Sequence, residues 1–137
     1  MAFSGSLEDR IALRELLDSY ADAVCRHDAD AWAATWAEAC EWELDGFGTF
    51  CGKALVVETW RAAMKGFPDI IFQAWPGEMT IEDDRAVMRS YTAETYPRDG
   101  HIHRDLGEYT DICAKIDGRW YFVRRRFRAL HRQQVAQ

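Results

Sequence analysis

The chain has 137 residues, of which 48% are hydrophobic and 29% charged. This composition fits a globular protein with one core and excludes intrinsic disorder. Acidic residues outnumber basic ones by 23 to 17, so the net charge of −6 opposes nucleic acid and anionic membranes as partners.

Helix signals dominate the first part of the chain. Ser6 can cap a helix, and an apolar stripe running from Leu13 through Tyr20 to His27 predicts a long amphipathic helix. Asp28 or Asp30 can cap a second helix directly afterwards.

That second helix is predicted to be short and to carry Trp32 and Trp36. Alternating residues over 41–44 predict a strand, and an Asp-Gly turn signal returns the chain as the second arm of a hairpin over 49–51. A third helix is predicted over 53–65, where a glycine and a proline end it.

The remainder is predicted to be sheet. Two extended segments at 70–72 and 79–81 are separated by a Pro-Gly pair, and a long strand follows over 85–96. Further strands are predicted over 104–116 and 119–130, and the Asp-Gly pair between them favours a tight hairpin. Helices first and antiparallel strands afterwards indicate a single α+β domain over 1–137.

Two segments carry a resemblance to a known family. Residues 20–42, followed by Gly-Phe-Gly-Thr-Phe-Cys-Gly at 46–52, resemble the front half of the SnoaL-like branch of the nuclear-transport-factor-2 superfamily. Residues 107–111 and 117–120 resemble its back half. The stretch 36–52 is particularly similar to γ-hexachlorocyclohexane dehydrochlorinase, and the bile-acid dehydratases share the same frame.

The resemblance implies a cone-shaped, curved antiparallel sheet packed against three helices, with the active site at the open end. It implies cofactor-free proton abstraction, elimination or isomerisation on a small hydrophobic ligand, and a homodimer or homotrimer. In the catalytic members, an acid at the end of the first helix orients a histidine on a strand. Here the matching positions hold Cys25 and Ala74, so the usual Asp-His dyad is absent.

Other residues are candidates for the missing chemistry near the first helix. Tyr20 matches a pocket tyrosine of the family, where a neutral phenol could donate a hydrogen bond, although it could equally pack in the core. Cys25 could act as a base or nucleophile if its pKa were lowered, or simply fill space. Asp22, Asp28 and Asp30 are alternative acids, or caps and solvated charges.

Two histidines and an arginine complete the catalytic candidates. His101 and His103 alternate around one residue, so both should point to one side of the chain, where either could transfer a proton or lie inert in a surface turn. Arg125 matches the pocket arginine of the dehydrochlorinase, where it would stabilise an anion. Arg126 would replace it if a bulge shifted the strand.

Pairing through the Asp-Gly turn predicts which residues lie opposite the three consecutive arginines. It places Asp111 opposite Arg124 and Thr110 opposite Arg125, and Tyr109 opposite the third arginine. Arg124 would then have an ion-pair partner.

Aromatic residues make up 13% of the chain and suit the walls of an apolar pocket. The residues predicted to form these walls are Trp36, Trp42, Trp60, Phe72, Trp75 and Tyr91.

The four cysteines are too far apart in sequence for a zinc-binding pattern, so we expect reduced thiols, no metal and no other cofactor. No run of roughly 20 apolar residues predicts a membrane span, and no secretion signal is evident, so a cytoplasmic location is expected.

The leading function is a cofactor-independent lyase or isomerase acting on an aromatic or polyketide-like substrate. Two alternatives remain open: a non-catalytic ligand-binding domain, or an accessory subunit of a ring-hydroxylating oxygenase.

Overall fold

A computed structural model describes residues 2–136. Three helices and six strands follow one another in the order α1 (Leu7–Arg26), α2 (Ala29–Ala33), β1 (Trp36–Leu44), β2 (Gly48–Cys51), α3 (Lys53–Met64), β3 (Ile71–Glu82), β4 (Arg85–Arg98), β5 (His101–Ile116) and β6 (Arg119–Ala136). The predicted α+β class, with helices in the N-terminal half and a curved sheet packed against them, is confirmed.

The sheet is mixed rather than wholly antiparallel. Its strand order is β2-β1-β6-β5-β4-β3, and every neighbouring pair is antiparallel except β1 and β6, which run parallel. This long-range pairing has no turn signal, so local sequence patterns could not predict it.

Helix α1 begins where the sequence predicted. The Ser6 side chain accepts a hydrogen bond from the Asp9 amide at 3.1 Å, and the helix buries an apolar stripe that includes Tyr20. Its end differs from the prediction: His27 is exposed in the left-handed conformation, with φ of 54°, and caps the helix.

Helix α2 is shorter than predicted. It ends at Ala33, and Trp36 begins β1, where it lies beside Phe122 of β6. Thr35 just before it accepts a hydrogen bond from the Phe122 amide at 2.8 Å. Pairing with a distant strand therefore overrides a local pattern that also suited a helix.

The strands are longer than the sequence signals suggested. The segments predicted at 70–72 and 79–81 form one strand, β3, with a bulge at Gly77, where an added Cβ would lie 2.6 Å from the Tyr91 ring. His101 and His103 belong to β5, because the turn before it consists only of Asp99 and Gly100.

The β5–β6 hairpin has the predicted turn but not the predicted register. Asp117 and Gly118 both have positive φ, at 51° and 79°. A bulge at Val123 then shifts the pairing by one residue, because Cys113 pairs with Phe122 but Ile112 pairs with Arg124.

The predicted partners of the arginines were consequently wrong by one position. Asp111 lies opposite Arg125 rather than Arg124, and Thr110 lies opposite Arg126. Tyr109 lies opposite Phe127. The bulge turns Arg125 toward the core, beside Asp111.

Candidate active site

A cavity of about 390 Å³ lies between α1, α3 and the inner side of the sheet. This volume is within the range of small-molecule sites. Most of the side chains that line it are apolar: Val24, Trp42, Leu44, Phe47, Trp60, Ala63, Met64, Phe67, Ile70, Phe72, Leu106, Phe127 and Ala129. The polar lining residues are few: Tyr20, Glu94, Tyr96, Arg98, Asp105, Tyr109 and Arg132.

A second depression of about 360 Å³ is formed largely by charged residues of β1, β5 and β6. Its arginines are already paired, Arg126 with Glu43 at 2.9 Å and Arg128 with Glu108 at 2.7 Å. The apolar cavity, which combines broad apolar walls with a few polar groups, is therefore the better candidate for a ligand site.

Three of the six predicted aromatic walls line the cavity, namely Trp42, Trp60 and Phe72. Trp36 is fully buried in the core beside Trp32 and does not line the cavity.

Trp75 and Tyr91 lie away from the cavity. They face each other across β3 and β4 with ring centroids 6.0 Å apart, and Trp75 is 47% exposed. Because side chains alternate along a strand, Trp75 points away from the face that Phe72 presents to the cavity.

Two phenols line the inner part of the cavity. Tyr20 from α1 is 2% exposed, and Tyr109 from β5 is also buried. The Trp42 indole Nε1 donates to the Tyr109 hydroxyl at 3.1 Å. Burial raises the pKa of both phenols, and the Arg125 charge only partly opposes it. Both phenols therefore stay protonated near neutral pH and can donate hydrogen bonds.

Sequence reasoning identified Tyr20 but missed Tyr109. The available signal was the alternation of β5, which places Tyr109 on the same face as Gly107 and Asp111.

Arg125 lies behind the phenols and does not line the cavity. Its guanidinium is fully buried and donates to Asp111 at 2.7 and 3.2 Å and to Ser90 Oγ at 3.0 Å. Its Cζ lies 4.4 Å from the Tyr20 ring centroid and 3.7 Å from that of Tyr109.

Burial lowers the pKa of Arg125, but the Asp111 charge, together with Tyr20, Tyr109 and the hydrogen bonds to Asp111, outweighs that effect, so the pKa of Arg125 is raised. The guanidinium therefore contacts the rings of two cavity residues, Tyr20 and Tyr109, without lining the cavity itself. The alternative arginine, Arg126, is exposed and pairs with Glu43.

Cys25 is committed to the backbone of β3. Its Sγ accepts from the Phe72 amide at 3.1 Å and donates to the Phe72 carbonyl at 3.3 Å. The thiol thus joins the end of α1 to the first part of β3, and it does not line the cavity. The alternative acids Asp22, Asp28 and Asp30 are exposed, and Asp28 caps α2.

His101 and His103 lie on one side of β5, with ring centroids 6.3 Å apart. The His103 ring stacks on Tyr96 at 5.2 Å, and His101 Nδ1 lies 2.9 Å from the Asp99 carbonyl oxygen. Neither histidine lines the cavity, although Tyr96 does. His103 is therefore separated from the cavity by one ring.

Two carboxyl groups line the cavity and were missed by sequence reasoning. Glu94 and Asp105 face each other across β4 and β5. The Tyr96 hydroxyl donates to Asp105 Oδ2 at 2.8 Å, and Arg132 of β6 lies opposite Asp105. Burial, and secondarily the Asp105 charge, raise the pKa of Glu94 to about 7, while Arg132 opposes the change.

The chain matches the SnoaL-like domain model over residues 5–126. It belongs to the SnoaL-like domain family. No curated protein matches the sequence.

Several solved structures share the SnoaL-like fold of this chain. LinA is 19% identical, with a TM-score of 0.87, and the match covers 95% of this chain and 91% of LinA. Hexachlorocyclohexane dehydrochlorinase LinA-type3 from Novosphingobium barchaimii LL02 is 18% identical, with a TM-score of 0.82 and coverages of 95% and 92%.

A protein of unknown function with a cystatin-like fold, from Nostoc punctiforme PCC 73102, is 20% identical, with a TM-score of 0.81 and coverages of 91% and 93%. Identities this low establish a common fold alone.

The cavity of this SnoaL-like domain contains both hydrogen-bond donors and a pair of carboxyl groups. Within residues 2–136, no cluster of three or more His, Cys, Asp or Glu side chains is arranged to hold a metal ion. In the same part of the chain, no helix is both long and apolar enough to cross a membrane.

Proposed function

We propose that this SnoaL-like domain is a cofactor-independent lyase or isomerase that abstracts a proton from a small hydrophobic substrate, aromatic or polyketide-like, and then eliminates a group or isomerises. The observation that carries the proposal is the apolar cavity of about 390 Å³ with Tyr20 and Tyr109 among its few polar groups. The names of the dehydrochlorinase relatives support the same reaction class.

The phenols would polarise an oxygen of the substrate. Proton removal next to a carbonyl places negative charge on that oxygen, and fixed donors in a water-poor site stabilise such charge strongly. Trp42 donates to the Tyr109 hydroxyl oxygen, so this bond does not use the Tyr109 proton, which the hydroxyl would donate to the substrate. The Arg125 cation behind the rings adds favourable electrostatic potential.

The apolar walls favour a flat, weakly polar molecule. The indoles of Trp42 and Trp60 and the ring of Phe72 offer broad apolar surfaces. A sugar or nucleotide would bury many hydroxyl or phosphate groups against these walls without partners, at a high cost in free energy.

The test is turnover of a panel of hydroxylated or halogenated aromatic and polyketide-like ketones by wild type, Y20F and Y109F. Loss of one donor should lower kcat by about 10²- to 10³-fold. Y20F should leave the melting temperature nearly unchanged, whereas Y109F also removes the acceptor of the buried Trp42 indole N–H and should cost about 1–3 kcal/mol of stability. Tyr121→Phe is the matched control, since Tyr121 does not line the cavity. Dialysis against EDTA should leave turnover unchanged. Equal rates in wild type and both phenol variants would contradict the proposal.

A second candidate is a non-catalytic binding domain. It is favoured by Cys25 and Ala74 at the positions of the implied dyad, and by the engagement of the Cys25 thiol with the Phe72 backbone. Ligands of the panel that raise the melting temperature while mass spectrometry detects no product would support this candidate over the lyase or isomerase. The accessory-subunit alternative predicts that the chain needs a partner protein to be stable.

We also propose that the chain forms a homodimer or homotrimer and works in the cytoplasm. The exposed apolar side chains of Trp75 and Val87 on the sheet are consistent with a contact between copies. Sedimentation of the purified chain tests the oligomeric state: a monomer at micromolar concentration would contradict it.

A further inference from the structure

Glu94 occupies an unusual place for an acidic residue. It lies on the same face of β4 as the buried residues Ser90 and Thr92, and it lines the cavity. None of the side-chain hydrogen bonds found among residues 2–136 involves its carboxyl group. An inward-facing carboxyl without a structural partner is available for a ligand.

The neighbouring carboxyl, Asp105, is differently placed. It accepts a hydrogen bond from the Tyr96 hydroxyl at 2.8 Å and lies across from Arg132. The Asp105 carboxyl is therefore held by a contact with the protein, whereas the Glu94 carboxyl has no side-chain hydrogen bond among the described residues.

Other groups in the cavity are less suited to proton transfer. The ionisable side chains that share the cavity with Glu94 are Tyr20 from α1, Tyr96 and Arg98 from β4, Asp105 and Tyr109 from β5, and Arg132 from β6. Burial raises the pKa of all three phenols, to about 12 for Tyr96, and arginines stay protonated. The described residues of β3 and α3 add only non-ionisable side chains to the lining.

We propose that Glu94 is the residue that transfers the proton in this cavity, and that Asp105 is its positioning residue. The inference rests on the proposed lyase or isomerase function and deepens it. The Glu94 carboxylate takes a proton from the carbon next to a carbonyl of the substrate. The electron pair of the broken C–H bond forms a C=C bond, and the carbonyl electrons move to the oxygen held by the phenols.

The second half of the reaction returns the proton. In an elimination, the enolate re-forms the carbonyl, and the electrons of its C=C bond form a new C=C bond between the α and β carbons. The bond from the β carbon to the hydroxyl oxygen breaks, and the hydroxyl takes the proton of the Glu94 carboxylic acid and leaves as water. In an isomerisation, the same proton returns to another carbon. Glu94 ends as a carboxylate in either case, so the reaction needs no oxidant or reductant.

The electrostatics agree with this role. Because burial and Asp105 raise the pKa of Glu94 to about 7, both protonation states are populated near neutral pH. A group that must accept and then donate a proton works best under that condition.

The experiment compares wild type, E94Q and the control E58Q on the best substrate of the ketone panel. Glu58 is an exposed residue of α3 that does not line the cavity. We expect E94Q to lower kcat by about 10²- to 10⁴-fold, with substrate binding changed by less than about threefold, whereas E58Q keeps both.

The pH profile provides the second readout. In wild type, kcat/KM should rise with pH through a midpoint of about 7 as Glu94 ionises. E94Q should lose this limb, and D105N should move the midpoint to lower pH, because Asp105 raises the pKa of Glu94. A merely structural role of Asp105 would change stability and leave the midpoint in place.

The two proposals fail differently. Wild type that turns over no compound of the panel overturns the enzymatic function and this inference with it. Wild type that is active while E94Q keeps more than about a tenth of its kcat, or keeps the pH limb, overturns the role of Glu94 alone.

Discussion

Replacing Glu94 with glutamine should make the protein more stable at alkaline pH. An ordinary glutamate pKa of 4.5 rises here to about 7, because the carboxylate is desolvated and faces Asp105. Between these two values the folded chain holds a proton that the unfolded chain has lost. Stability therefore falls as pH rises through this window and becomes level above about 7.

The size of the effect follows from the two pKa values. The interval from 4.5 to about 7 corresponds to about 3 kcal/mol at about 1.4 kcal/mol per pH unit. Water entering the cavity screens part of it, so about 2–3 kcal/mol is expected. Glutamine cannot ionise, so E94Q should exceed wild type by this amount at pH 8 and match it near pH 4.

Urea unfolding followed by tryptophan fluorescence measures this difference at several pH values. E58Q supplies the control, because Glu58 is exposed and its substitution should leave the pH dependence of wild type intact. Parallel stability curves for wild type and E94Q from pH 4 to 8 would mean that Glu94 titrates as an ordinary glutamate, and the electrostatic reasoning would be wrong.

Substitutions at Arg125 and Cys25, and at the partner Asp111, test what the polar groups outside the cavity contribute. R125M leaves the Asp111 carboxylate buried without its partner and should cost about 3–5 kcal/mol in urea unfolding. The double variant R125M/D111L should recover most of that loss. A cost of R125M below about 1 kcal/mol would refute the estimate. C25A should cost about 1–2 kcal/mol, because it leaves backbone groups of Phe72 without a side-chain partner. C25S should keep both stability and turnover, because its hydroxyl can make the same hydrogen bonds. Loss of turnover in C25S at unchanged stability would instead assign chemistry to the thiol.

Local signals predicted the element ends that depend on local physics. Ser6 caps α1 through the adjacent amide, and the turn at Asp117 and Gly118 has the positive φ values that these residue types tolerate. Such interactions involve residues within one turn of each other, so the sequence contains all the information needed.

Features set by distant pairing could not be predicted in this way. Trp36 is a strand residue because it pairs with Phe122 of the last strand. The bulge at Val123 precedes three consecutive arginines. Three identical residues show no alternation of polar and apolar positions, so the sequence does not indicate which arginine faces inward. Only the buried partner Asp111 selects Arg125.

The candidate site was predictable where it lies on a helix and obscure where it lies on the sheet. Tyr20 could be identified because the apolar residues of α1 repeat with the period of a helix and so define one buried face that includes it. The inward face of β4 instead contains Ser90, Thr92 and Glu94, which resembles a solvent-facing pattern. Polar residues that line a cavity thus interrupt the alternation of apolar and polar residues by which a buried strand face is recognised. Such departures from the local pattern are expected at functional sites.

The location of Glu94 explains how this cavity could keep proton-transfer chemistry without the implied dyad. The end of α1 and β3 would carry the acid and the histidine, but here Cys25 ties α1 to the Phe72 backbone. Phe72 lies directly opposite Glu94 on the adjacent strand. The proposed base has therefore moved one strand across the sheet, while Tyr20 and Tyr109 remain in the cavity as donors. A substrate whose oxygen binds these phenols would then present its acidic carbon to β4 rather than to β3, and compounds should be selected by that orientation.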